Sequence, residues 1–362
     1  MATADRKKPP TGIAGSDGER QAANRLAEAL RQRGRAVSVE PVSVRISDAG
    51  TISLHALLAV AGGLIGLKWP LVGATIVLLT SFSFYAERAL GFTLLGRIVP
   101  KRATQNVLSP PPGPAWDQDV EVVLTAGYDL PSSYPVGEWL SNRFSGQITT
   151  DRLLLIAGML PVFVALMLGA ADVDGTWVGV IQLIGTAVLL SLVAAQVDRM
   201  VSAEAEADAA DLQATENLLA ALDEAIDDSD GDPPIAVAFF GAESSSAKGA
   251  ADFFPRFEQP LRAENSLVVN FVNGGADAKS PGRSVLSRNN RVLLTAKEGD
   301  LATVKMNDEA GKASPIKPEP AILRTITGAT IARRRGIRAT TVVGSGDDAV
   351  DVGLDLIDNA NQ

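Results

Sequence analysis

Apolar and polar positions are unevenly distributed along this chain: four stretches lack Asp, Glu, Lys and Arg altogether, and the remainder alternates over shorter periods. Residues 51–67 (TISLHALLAVAGGLIGL) and 70–86 (PLVGATIVLLTSFSFYA) form the first pair, separated only by Lys68 and Trp69. Residues 153–171 (LLLIAGMLPVFVALMLGAA) and 176–197 (TWVGVIQLIGTAVLLSLVAAQV) form the second, joined by the polar turn Asp172-Val173-Asp174-Gly175. At about 1.5 Å rise per residue, each run of the first pair reaches roughly 26 Å. That is slightly short of a hydrocarbon core of about 30 Å, so flanking residues must complete those spans. The pattern predicts two helical hairpins and four membrane spans, since soluble cores rarely contain four uncharged helices with such short polar tips.

Elsewhere the periods are those of a layered domain. Ser16 and Glu19 make a capping-box pattern ahead of RQAANRLAEALRQRGR, whose Ala23, Leu26, Ala27 and Leu30 recur at helical spacing, with Gly34 as the stop. Strands are predicted at 36–45, 120–126, 235–241, 266–272, 291–296 and 339–344, and helices at 211–226, around 247–258 and at 318–335. Alternation of this kind predicts an α/β layer fold, with 120–126, 235–241 and 266–272 central because their apolar, β-branched runs suit strands covered on both faces. The proline-rich 109–114 and the acidic 227–234 read as loops, the latter without EF-hand spacing, and ARRRGIR reads as a helix end facing its negative pole.

The resulting division is 1–50, 87–152 and 198–362 as three parts of one soluble domain, interrupted by hairpins at 51–86 and 153–197. Both hairpins leave and return on one face. Seven basic residues lie near the span ends there (Arg45, Arg88, Arg97, Lys101, Arg143, Arg152 and Arg199), against Lys68 alone at the tips. The positive-inside rule therefore predicts a multi-pass cell-membrane protein with a cytoplasmic soluble part; the opening MATADRKKPP has no apolar stretch and is not expected to be a cleaved signal. Gly62 and Gly66, four residues apart, have the spacing that lets two helices approach closely.

Composition narrows the chemistry. The chain of 362 residues has 42 acidic and 33 basic side chains, net charge −9, no cysteine and one histidine. Excess negative charge argues against a nucleic-acid partner. Without cysteine there is no thiolate zinc site and no cysteine nucleophile. His55 lies in the first span, where an interfacial or helix-contact role is expected, because the spans offer no acidic partner for a proton relay. A Ser-His-Asp triad would need that histidine, and GSG at 344–346 is neither a nucleophile elbow nor a phosphate loop.

The order of segments carries a resemblance. The helix GSDGERQAANRLAEALRQRG, the strand end VVLTAGYD, the helix DLQATENLLAALDEA, the strand-turn AFFGAESSSAKGAADFF, the strand LVVNFVNGG and the late GIRATTVV resemble, in that order, the dizinc aminopeptidase family. That family includes bacterial leucyl aminopeptidases, glutamate carboxypeptidases and the inactive relatives nicalin and nicastrin; the hairpins do not belong to its common pattern. The resemblance implies a mixed-sheet zinc-aminopeptidase-like α/β domain with most of its ligands replaced. Where the family has His-x-Asp, this chain has Gly127, Tyr128 and Asp129. Asp211 matches the bridging aspartate, Glu243 keeps the general-base position, and Ser244 replaces the ligand after it. Val272 stands where a ligating aspartate is expected, and the last histidine falls near Asp348. Glycine, serine and valine cannot ligate zinc as carboxylate or imidazole does, and a lone base has no metal-activated water to deprotonate.

The resemblance thus implies degenerate remnants at Asp129, Asp211 and Glu243, no cofactor, and a pseudopeptidase acting as a binding or scaffold subunit. Its partners would be the lipid bilayer and a membrane or cytoplasmic protein. The alternative is a membrane-bound hydrolase with a rebuilt oxygen-ligated metal site at Asp129, Asp211, Glu243 and Asp347. A transport or channel role is disfavoured by spans without ionisable residues.

Overall fold

The computed structural model describes residues 12–44, 48–90, 94–111, 116, 120–130, 132–133, 150–173, 175–202, 204–205, 213–227, 234–244, 247–262, 266–272, 285–292, 295–298, 321–323, 326–343 and 347–360. Asp211, the turn 344–346, most of the acidic loop 227–234, and Arg45 and Arg143 lie outside them.

In chain order the strands are β1 (Ser38–Val44), β2 (Arg102–Ser109), β3 (Val122–Gly127), β4 (Ser132–Ser133), β5 (Glu204–Ala205), β6 (Ile235–Phe240), β7 (Leu267–Val272), β8 (Val285–Val292), β9 (Thr295–Glu298), β10 (Ala321–Leu323) and β11 (Ala339–Val343). The helices are α1 (Asp17–Gln32), α2 (Asp48–Gly66), α3 (Pro70–Tyr85), α4 (Thr150–Ala170), α5 (Thr176–Ser202), α6 (Gln213–Asp227), α7 (Lys248–Arg256), α8 (Gly328–Arg334) and α9 (Asp347–Ala360).

One mixed sheet runs in the order β1-β2-β6-β3-β7-β11-β8-β10, with β9 paired to β8. Its centre is parallel: Val122 of β3 stands beside both Ile235 of β6 and Leu267 of β7, and β11 adds in parallel to β7. These are the three runs expected at the centre, and β3 and β6 are buried on both faces because helices cover both. Val122, Leu124, Ala126, Ile235, Val237 and Phe239 point toward α1, α6 and α9, meeting Leu30, Leu218 and Leu356. Val123, Ala236, Ala238 and Phe240 alternate to the opposite face, against Phe253 and Phe254 of α7 and Ala329 and Ala332 of α8.

Two expectations are corrected, and two elements were not foreseen. The strand predicted at 291–296 is interrupted: β8 ends at Val292 and an antiparallel hairpin returns as β9 from Thr295. The helix predicted at 318–335 is in fact strand β10 followed by α8, which starts only at Gly328 behind a reciprocal Thr327/Thr330 capping box. The strand β2, unpredicted, lies between β1 and β6. Its Thr104, Asn106 and Ser109 are polar yet buried, which hides the alternating pattern; Asn106, for example, donates to the Gly249 carbonyl at 3.1 Å. Also unpredicted is α9, which covers one face of the sheet.

Four helices are long and apolar enough to cross a membrane: Asp48–Gly66, Pro70–Arg88, Thr150–Ala170 and Thr176–Met200. They share a core of Ala56, Val77, Phe84, Met159, Val162 and Leu189 while exposing Leu64, Leu79 and Leu183 outward. The first hairpin closes tightly because its glycines meet. A Cβ on Gly73 would collide with the Gly62 carbonyl oxygen and stand 2.5 Å from Gly66 Cα. His55 is fully buried; its Nδ1 lies 2.8 Å from the Thr51 carbonyl oxygen and therefore carries the proton, leaving Nε2 to accept from Ser83 Oγ at 3.1 Å. This is a helix-contact side chain joining α2 to α3. At the same end, Arg88 pins both hairpins together, 2.7 Å from Asp48 and 3.4 Å from Asp151.

Candidate functional site

Because β6, β3 and β7 run parallel, the residues following each are delivered to one edge of the sheet, where α/β folds place their ligands. Gly127, Tyr128 and Asp129 leave β3 there, the turn Gly241-Ala242-Glu243-Ser244 leaves β6, and Val272 ends β7. The N-terminus of α8 points into the same region, since Glu243 Oε1 accepts the Gly328 N–H at 2.6 Å.

Asp129 is fully occupied by this turn. Its Oδ1 accepts from Glu243 N at 2.6 Å and Ser244 N at 3.3 Å, while Oδ2 accepts from Ser244 N at 3.1 Å and from Ser244 Oγ. Ser244 thus turns its hydroxyl onto the neighbouring carboxylate. Gly127 has its own steric reason. A Cβ there would sit 2.5 Å from Glu243 Cβ and 2.6 Å from Glu243 Cγ, so the Glu243 side chain fills the space in which a histidine would begin. The other Glu243 oxygen, Oε2, is buried without a hydrogen-bond partner among the described residues, and so is Asn270 Nδ2, whose Oδ1 accepts from Thr125 Oγ1 at 2.7 Å.

Electrostatics follows from burial. Desolvation pushes the Glu243 carboxyl up to about 8, with the Asp129 charge adding to it and the Gly328 N–H opposing it. Desolvation also raises Asp129 to about 7, against the Ser244 hydroxyl and the backbone N–H groups that favour its charged form. Asp129 holds more donors than Glu243, so its charged form is the better stabilised of the two.

A third carboxylate, Glu19, was expected only to complete the capping box of α1. Ser16 Oγ does accept from Glu19 N at 3.2 Å. The Glu19 side chain does not return to Ser16 but is buried, accepting from Gly15 N at 2.5 Å, Thr104 Oγ1 at 2.6 Å and Ala242 N at 3.1 Å. Glu19 and Asp129 together clamp the turn after β6, in which Ala242 is held at φ 53°. Burial raises Glu19 above its usual range. Tyr128 is buried too; its hydroxyl donates to the Gln105 carbonyl at 2.6 Å, and desolvation pushes the phenol up. Nothing in the local sequence distinguishes Glu19 from a solvent-facing first-turn acid.

Of the predicted site residues, Gly127, Asp129, Glu243 and Ser244 are in contact. Val272 ends the neighbouring strand beside Val343. Asp211 and the side chains of Asp347 and Asp348 lie outside the described residues. Among the described residues, no three His, Cys, Asp or Glu side chains converge as a metal site would require.

No protein-family model matches the chain, and no curated protein does. Solved structures similar to it include BSAP, a zinc aminopeptidase from Bacillus subtilis, at 10% identity and a TM-score of 0.43, covering 98% of this chain and 91% of that one. The aminopeptidase from Aneurinibacillus sp. strain AM-1 is similar at 10% identity and a TM-score of 0.45, covering 97% of this chain and 89% of that one. Likenesses this loose leave the chemistry of the site to its own geometry.

Proposed function

We propose that this chain is a multi-pass membrane protein whose aminopeptidase-like domain has no peptidase chemistry and serves as a binding or scaffold subunit, with its soluble part in the cytoplasm. One observation supports the loss of chemistry above all. The acid in the general-base position, Glu243, is bound by the N-terminus of α8 and packed into the space above Gly127, while Asp129 is saturated by the donors of the same turn. Carboxylates used in this way brace a turn. A general base must instead reach a substrate or a water, and a zinc ligand must turn its lone pairs toward the metal. Charge flanking the spans supports the orientation, and the four apolar helices support the membrane setting.

The test is metal analysis and peptidase assay of the purified full chain beside Glu243→Gln. The expected result is no stoichiometric zinc and no aminopeptidase activity in either protein. Bound zinc, or an activity that disappears in Glu243→Gln while the fold persists, would overturn the reading. Stoichiometric magnesium or calcium would favour the rebuilt oxygen-ligated site instead. Reporter fusions at Gln362 and in the turn 172–175 should report opposite sides of the membrane; a C-terminus outside would reverse the orientation but leave the span count.

A further inference from the structure

Where the hairpins meet the sheet layer, away from the Asp129–Glu243 turn, a cavity of about 340 Å³ opens between the two parts of the molecule. That volume lies in the range of small-ligand sites. Its walls come from both parts: Asp48, Thr51, Glu87 and Arg88 from the ends of the first hairpin, and Lys248 of α7 and Arg334 of α8 from the soluble layer. The floor is apolar, formed in part by Ile326, which packs against both the α7–α8 core and the helix bundle. Lys101 completes the rim.

The charge in this cavity is not balanced. Arg88 is committed to Asp48 and Asp151. Asp48, bonded to Arg88, also pairs with Lys248 at 3.7 Å, and Asp252 lies 3.5 Å from Arg256, which is itself held by Glu40 at 2.6 Å. Arg334 donates to the Arg88 carbonyl oxygen at 3.3 Å, but its buried Nε has no hydrogen-bond partner among the described residues. Among the described residues, Lys101 forms no ion pair, and the lining as a whole carries four cations, Arg88, Lys101, Lys248 and Arg334, against the three acids Asp48, Glu87 and Asp252. Burial lowers the Arg334 guanidinium, as expected for a cation without a carboxylate. An anion would relieve that cost. The position of the cavity selects among anions: it lies at the mouth of a hairpin about 28 Å long, at the depth of lipid headgroups.

We infer that the cavity bounded by Lys101, Lys248 and Arg334 binds a phosphate group, presented by an anionic phospholipid of the leaflet facing the soluble domain or taken from solution as free phosphate. Lys101 and Lys248 are flexible cations able to close on the phosphate oxygens, and Arg334 supplies the fixed donor beneath. The lipid arm of this inference rests on the membrane reading above; the phosphate chemistry does not.

The experiment uses the delipidated full chain in detergent, with binding of dioleoyl phosphatidylglycerol, dioleoyl phosphatidylcholine and inorganic phosphate followed by native mass spectrometry. Wild type should retain phosphatidylglycerol over phosphatidylcholine. The double variant Lys101→Gln/Lys248→Gln should lose that retention by about tenfold, and Lys101→Arg/Lys248→Arg should keep it. Inorganic phosphate bound in its place, with the same variant sensitivity, would support the site with a soluble source. Equal retention by wild type and the glutamine variant, or no binding of either phosphate source, would overturn the inference. Carbonate extraction of cell membranes tests the membrane reading separately. A chain released by carbonate would sink that reading and the lipid arm, while the inorganic phosphate measurement would still decide the cavity.

Discussion

Glu243 and Asp129 share one buried turn, and their burial has a consequence for pH. Glu243 is raised from 4.5 to about 8 and Asp129 from 3.8 to about 7, so between those limits the folded chain holds protons that the unfolded chain releases. The stability contributed by the protonated forms is therefore complete below about pH 4 and lost as pH rises toward 8. Thermal unfolding of the wild type should show the loss, at most about 6 kcal/mol between pH 5 and 8, and Glu243→Gln should remove the Glu243 part of it and leave the smaller part due to Asp129, because an amide cannot ionise. A wild-type profile that rises over the same window would contradict the burial of this pair. Gly127 gives a second prediction. Gly127→His should not create a zinc site; the Cβ contact with Glu243 at 2.5 Å should cost about 2–4 kcal/mol of stability, and Gly127→Ala should already show most of it in a denaturant titration. The proximity of Asp129 and Glu243 was suggested at this scale by their place after two central strands. The clamp by Glu19 was not, because its partners Thr104 and Ala242 are 85 and 223 residues away along the chain.

Among the elements, those with a strong period were legible and those whose burial depends on polar partners were not. Four uncharged runs predicted four helices, and the boundaries moved by only a few residues because nothing inside a run competes with the helix. The structure adds the reason for the close approach of α2 and α3, in which Gly73 faces Gly62 and Gly66. Gly73→Leu should leave the hairpin inserted but separate its helices, lowering the unfolding midpoint of the detergent-solubilised chain by the equivalent of about 2 kcal/mol. An unchanged midpoint would mean that the glycine contact contributes nothing to packing. The misread segments share a cause. Strand β2 buries threonine, asparagine and serine whose side chains bond to Glu19, Gly249 and Arg35, and β10 is a three-residue strand paired to β8 inside a helix-like pattern. Local periodicity carries no signal for either.

For the whole molecule the decisive fact is that the central sheet interleaves distant parts of the chain. Strand β3 precedes the second hairpin in sequence, yet it lies between β6 and β7, which follow that hairpin. A fragment covering 198–362 should therefore fail to unfold cooperatively by itself, having lost the strand that joins its two central ones, and co-expression with 1–197 should recover a folded complex. A fragment that unfolds cooperatively alone would show that β6 and β7 can pair without β3. The sequence alone determined the four long apolar helices and which apolar strands are central, because periodicity and residue type are local properties. Tertiary structure alone decided that Glu243 braces a turn, that Arg88 ties both hairpins at one end, and that a cationic cavity lies where they meet the sheet. Each of these is a contact between residues far apart in sequence, and the burial and pairing that set their chemistry exist only once the sheet has closed around the insertions.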